Sequence, residues 1–211
     1  MKNRNFLTTV LLMALVFALA FMSCDNGTTS GGGGEGSGGS GDDTTTYNIG
    51  DTGPGGGIVF YIDLSGFTMT DTGKKACYLE SAPADMDSLT WATTAFFDTS
   101  IFGTSEAIGT GRKNTALILA TDANAPAAKV CKDHRGPNNK DDWFLPSVDE
   151  LEKLYDKKDV VGGFAEDYNY IEFWSSSEWT DKMASSLDFD SGIGYATSKH
   201  LSLHVRPIRA F

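Results

Sequence analysis

The chain has 211 residues, with 17 Lys and Arg against 28 Asp and Glu and a net charge of −11. That balance excludes ordinary nucleic-acid binding, which needs clustered basic side chains to neutralise phosphates. Its three cysteines are too few for a disulfide-rich scaffold, and none sits in the CxxC spacing of a zinc or thioredoxin-like site.

At the start of the chain, Lys2 and Arg4 precede an apolar run from Phe6 to Met22 that carries no charge and no Pro. A positive stretch before an apolar one predicts a signal peptide over 1–23. The run ends at Phe21-Met22-Ser23-Cys24, which resembles a relaxed bacterial lipobox, where a lipoprotein precursor is cleaved and its Cys acylated. The resemblance implies Cys24 as the lipidated residue, with membrane lipid as its partner. Loss of Lys2 and Arg4 with the leader takes the 17 basic residues to 15 against 28 acidic, or −13.

Residues 24–46 follow as a tether of Gly, Ser, Thr and acids that has no apolar side chain after Cys24. Such a segment buries nothing and spans roughly 26 Å on average as a random coil. Residues 47–211 contain no second linker and no repeat, so one domain is expected. A chain of that length can bury about 70% of its unfolded surface without a metal.

The first strand is expected at Ile58–Ile62, entered through the Gly-rich turn Gly50 to Gly57. That turn lacks the Lys-Ser/Thr ending of a phosphate loop. A second strand is expected at Ala76–Glu80, and helices at Asn114–Ala120 and Pro126–His134, the latter with Pro126 in its first turn. Ser147 and Glu150 have capping-box spacing. Beyond them Val148, Leu151, Leu154 and Tyr155 recur on one helical face, with Asp149, Glu152, Lys153 and Asp156 toward water. Strands follow at Phe173–Ser177, Ala184–Phe189 and His200–Ala210. Pro207 within the last requires an edge or a bulge.

The segments GDTGPGGGIVFY (50–61), YLESAP (78–83), IGTGRKNT (108–115), DDWFLPSVDEL (141–151), FWSSSE (173–178) and HVRPIRAF (204–211) together resemble the Lcl C-terminal domain family. That family takes its name from a bacterial collagen-like adhesin. The Trp-x-Leu-Pro-Ser core and terminal Val-Arg-Pro are also similar to the C-type lectin-like fold. The resemblance implies a single α+β domain with paired N- and C-terminal strands, and two or three helices on a small, mostly antiparallel sheet. Trp143, Leu145, Trp174 and Phe211 are then core or sheet-covering residues, while Ser147, Glu150, Glu178 and Arg206 cap or pair.

Catalytic constellations are weak. No G-x-S-x-G is present in the folded region, and His200 and His204 have HxxxH spacing on a strand pattern, unlike a zinc-binding helix. Cys77 and Cys131 lack the context of formylglycine-generating thiols. They form either a disulfide or two buried thiols, because spacing does not fix Cα separation. Asp181, Asp188 and Asp190 lack the signatures of lectin calcium sites, and hard cations need six or more converging oxygens. No enzyme activity, cofactor or metal is therefore expected.

By analogy with lectin-like folds, ligand contacts are expected at Trp179, Tyr195, Lys199 and His200. The expected function is a surface lipoprotein of the cell envelope, on the outer-membrane surface or the periplasmic face, that binds extracellular protein or glycan. The alternatives are a structural envelope lipoprotein without an external ligand and a formylglycine-generating-enzyme-like catalyst.

Overall fold

The structure is a computed structural model that describes residues 45–165 and 171–211. The leader expected over 1–23, Cys24 and most of the tether expected over 24–46 lie outside the described residues. Among the described residues no helix is long and apolar enough to cross a membrane.

The domain is α+β. Its strands are β1 (Ile58–Thr68), β2 (Lys75–Ser81), β3 (Met86–Thr90), β4 (Glu172–Glu178), β5 (Met183–Asp188), β6 (Gly194–Ser198), β7 (Ser202–Val205) and β8 (Ile208–Ala210). The helices are α1 (Gly111–Thr121), α2 (Pro126–Asp133), α3 (Val148–Tyr155) and the single turn α4 (Lys158–Val161). Two sheets form, one ordered β1-β2-β8 and the other β3-β7-β4-β5-β6. All pairings are antiparallel except β4 with β7.

Two apolar clusters fill the domain. Phe173 belongs to the one formed by Phe60, Leu79, Phe144, Leu151 and Leu154, whereas its neighbour Trp174 belongs to the one formed by Trp91, Ile118, Cys131, Leu145 and Val205. Successive side chains of a strand point to opposite faces, so β4 serves both clusters and must be buried on each side. The uninterrupted apolar and small-residue run Phe173 to Ser177 meets that demand, and all five residues are buried.

Pro207 resolves the last expected strand into two. Without an N–H it cannot continue a ladder, and the chain leaves the five-stranded sheet after β7 and joins the three-stranded one as β8. His200 therefore precedes β7 in a turn. The expected direct pairing of first and last strands is not found either, because β2 lies between β1 and β8. The ends still meet: the Tyr47 ring packs edge-on against Phe211 and Tyr78, with centroids at 5.1 and 5.4 Å.

The motif residues that carried the resemblance join elements. The Glu80 carboxylate accepts the backbone N–H groups of Gly55 (2.9 Å) and Gly57 (3.0 Å) and Arg209 Nη1 (2.8 Å). Arg209 Nε bonds Asp142. The Gly-rich turn is thus an anion cradle occupied by the protein's own carboxylate. A Cβ at Gly57 would stand 2.4 Å from Ser81 O, which accounts for glycine there. Glu150 closes the capping box with Ser147 and also accepts the Gly109 N–H at 2.8 Å. At Gly111 a Cβ would meet Glu150 Oε2 at 2.2 Å. Arg206, wholly buried, binds Asp85 at 2.5 Å and the carbonyls of Ala82 and Gly163 at 2.7 and 2.5 Å.

Candidate functional site

The turn after β4 presents Trp179, whose backbone N–H donates to Met183 O at 2.9 Å. Tyr195 lies on β6, in register with Ser186 of β5. The two side chains are 62% and 47% exposed, although a large aromatic ring usually buries most of its surface. Both line one groove of about 420 Å³, together with Glu106, Val148, Asp149, Glu152, Ser185, Ser186, Gly194 and Ala196. A second hollow adjoins it through shared Glu106 and Asp149 and continues past Thr104 and Ser177 to Glu178. No Lys or Arg lines either hollow.

The groove stands where α3 crosses the β5 and β6 end of the larger sheet. Helix α3 is amphipathic: Leu151 and Leu154 are buried beneath it, which leaves Asp149 and Glu152 on its outer side. The Asp149 N–H donates to Glu106 O at 3.1 Å, tying the loop before α1 to the first turn of α3. Three carboxylates are so gathered along one wall. None of them has an ion-pair partner among the described residues.

Lys199 is not available to a ligand. It is 0% exposed, and its ammonium donates to Glu178 (2.5 Å), Thr99 O (2.8 Å) and Asp181 O (2.7 Å) while lying over the Trp91 ring at 4.8 Å. A buried ammonium needs that many acceptors, so Lys199 is a structural tie, and Glu178 also accepts the Ile101 N–H at 2.9 Å. His200 is exposed and pairs with Ser198 Oγ at 2.8 Å, but it lines neither hollow. Of the four expected contacts, the structure brings together Trp179 and Tyr195.

The disulfide between Cys77 and Cys131 does not form. Cys131 is a free, buried thiol of α2, packed in the cluster around Trp174, whereas Cys77 packs with Val59 and Tyr78. Burial pushes the Cys131 thiol pKa well up, which keeps it protonated and unreactive. The Asp188 carboxylate accepts the Asp190 N–H (2.8 Å) and Ser191 Oγ (2.6 Å), so it closes its own turn. Among the described residues no group of three His, Cys, Asp or Glu side chains is placed to hold a metal ion.

The carboxylate wall escaped sequence reading because Glu106 is remote in the chain from α3. Asp149 and Glu152 were legible as the solvent face of a helix, but only the fold sets them opposite Tyr195. Compared with known proteins, the chain matches no family model and no curated protein.

Proposed function

We propose that this chain is a lipid-anchored protein of the cell envelope whose domain, residues 47–211, is a non-catalytic module that binds an external protein or glycan. The observation that carries this reading is the pair Trp179 and Tyr195: two half-exposed aromatics from different elements share one groove and have no core to cover. Exposed aromatics beside polar groups are common at recognition surfaces, where an apolar body and a polar tip are both used. The resemblance to an adhesin domain, and the anchor expected at Cys24, support presentation of such a surface outside the cytoplasmic membrane.

The test has two parts. Protease added to intact cells should remove the domain, and the full chain should retain ligands on a glycan and extracellular-matrix array. Protection from protease together with an empty array would favour the structural alternative, an envelope protein without an external ligand.

A further inference from the structure

Strand β6 closes one end of the five-stranded sheet, and no described strand pairs with its outer side. Open edges of this kind template further strands, and proteins normally guard them with charge, Pro or a bulge. The opposite edge, β3, is guarded: it carries Asp87, and its register with β7 shifts between Met86 and Leu89. The edge at β6 is not. Its sequence Gly-Tyr-Ala-Thr-Ser holds no charge and no Pro, and its pairing with β5 runs from Met183↔Ser198 to Leu187↔Gly194 without a break. Gly194, Tyr195 and Ala196 of this strand are also the residues that line the aromatic groove.

We infer that β6 and the adjoining groove dock an extended peptide segment bearing Lys or Arg, which adds as a further strand and sets its basic side chains among Glu106, Asp149 and Glu152. Main-chain hydrogen bonds supply affinity in such strand addition, and alternate side chains supply specificity. The charge selects the occupant. Three carboxylates without ion-pair partners line a groove that has no basic residue, so an acidic or polyanionic ligand is repelled and a neutral sugar leaves the charge uncompensated. A second copy of this chain would bring the same acidic surface. Basic side chains instead neutralise the wall, and their aliphatic stems and charged heads both pack well on Trp179 and Tyr195. This assignment rests on the proposed binding role of the groove and narrows its ligand to one class.

The test uses the full chain in detergent and three probes: a short peptide alternating Lys and Thr, its Glu and Thr counterpart, and the Lys-Thr peptide N-methylated at alternate residues. The Lys-Thr peptide should bind with quenching of tryptophan fluorescence, about tenfold or more tighter than either other peptide, and weaken as salt rises. The combined variant Glu106→Gln, Asp149→Asn, Glu152→Gln should lose about tenfold in affinity at unchanged melting temperature. Glu152→Lys alone, on the exposed side of α3, should weaken binding in the same direction and covers the case in which the triple variant misfolds. Equal binding of the N-methylated or the Glu-Thr peptide overturns the assignment. So does dimerisation through β6 that the Lys-Thr peptide does not displace. Retention of a neutral oligosaccharide alone, lost in Trp179→Ala, overturns the cationic class and leaves the groove's binding role standing. Absence of any ligand among these probes and the array overturns both.

Discussion

Glu80 and Arg209 meet in the core at 2.8 Å, the carboxylate fully buried and the guanidinium nearly so. The pair joins β2 to β8 and, through the Gly55 and Gly57 amides and Asp142, fastens the Gly-rich turn and the segment before α3 to the smaller sheet. Burial alone disfavours both charges, and it is the number of hydrogen bonds that makes them tolerable.

Arg209→Ala should therefore cost about 3–5 kcal/mol, because it leaves Glu80 buried without its counter-charge. Arg209→Lys should recover only a small part, since an ammonium cannot present the Nε and Nη1 pair that reaches two carboxylates at once. Chemical denaturation of the two variants checks this; parity of Arg209→Ala with the parent would show the network to be dispensable.

Glu150 gives the domain a pH dependence of definite sign. Burial pushes its carboxyl from the ordinary 4.5 up to about 7, against the pull of the Ser147, Gly109 and Gly111 amides. A carboxyl raised in the folded state contributes stability that is complete below its unfolded pKa and lost as pH climbs through the folded one. The contribution should fall by about 3 kcal/mol between pH 4.5 and a little above pH 7. Glu150→Gln cannot ionise, so its offset from the parent should shrink as pH rises through this window. Melting curves from pH 4 to pH 8 measure it, and an offset that stays constant would refute the shift.

Lys199 should behave as a structural residue. Lys199→Ala leaves the Glu178 carboxylate, only 10% exposed, without its cation and should cost about 3–5 kcal/mol. Any loss of ligand binding in this variant should track the unfolded fraction. A stable Lys199→Ala that has lost binding would return this residue to the recognition surface.

The acylation proposed at Cys24 should decide where the protein resides, because acyl chains contribute about 0.8 kcal/mol per buried methylene. Cys24→Ala, expressed behind a leader whose cleavage does not need that Cys so that the apolar run 6–22 is still removed, should move the chain from the detergent-rich to the aqueous phase on phase separation. A variant that stays with the detergent would remove the lipid anchor from the account.

Much of the fold was legible because the relevant signals are local. Ser147 and Glu150 are three residues apart and form the capping box their spacing predicts, and the β-branched and aromatic run Ile58–Ile62 marked the start of β1. Strands β3 and β6 were not legible: MDSLT and GYATS are short and polar, and they become strands by pairing with β7 and β5. Lys199 shows the limit for sites. A Lys in a polar loop looks solvated in sequence, and only the convergence of Thr99, Glu178 and Asp181 on its ammonium reveals that it is buried. Trp179 and Tyr195 could be chosen as aromatics outside the expected core, but the groove that unites them depends on where α3 crosses the sheet.

The binding role of the groove is tested most directly by the double variant Trp179→Ala, Tyr195→Ala on a glycan and extracellular-matrix array, with its melting temperature measured alongside. Both side chains are exposed, so the melting temperature should stay within about 2 °C of the parent, while retention of whatever the parent binds should fall about tenfold or more. Undiminished retention would contradict the account, as would a fall of about 10 °C or more, which would show that the two rings hold the fold together.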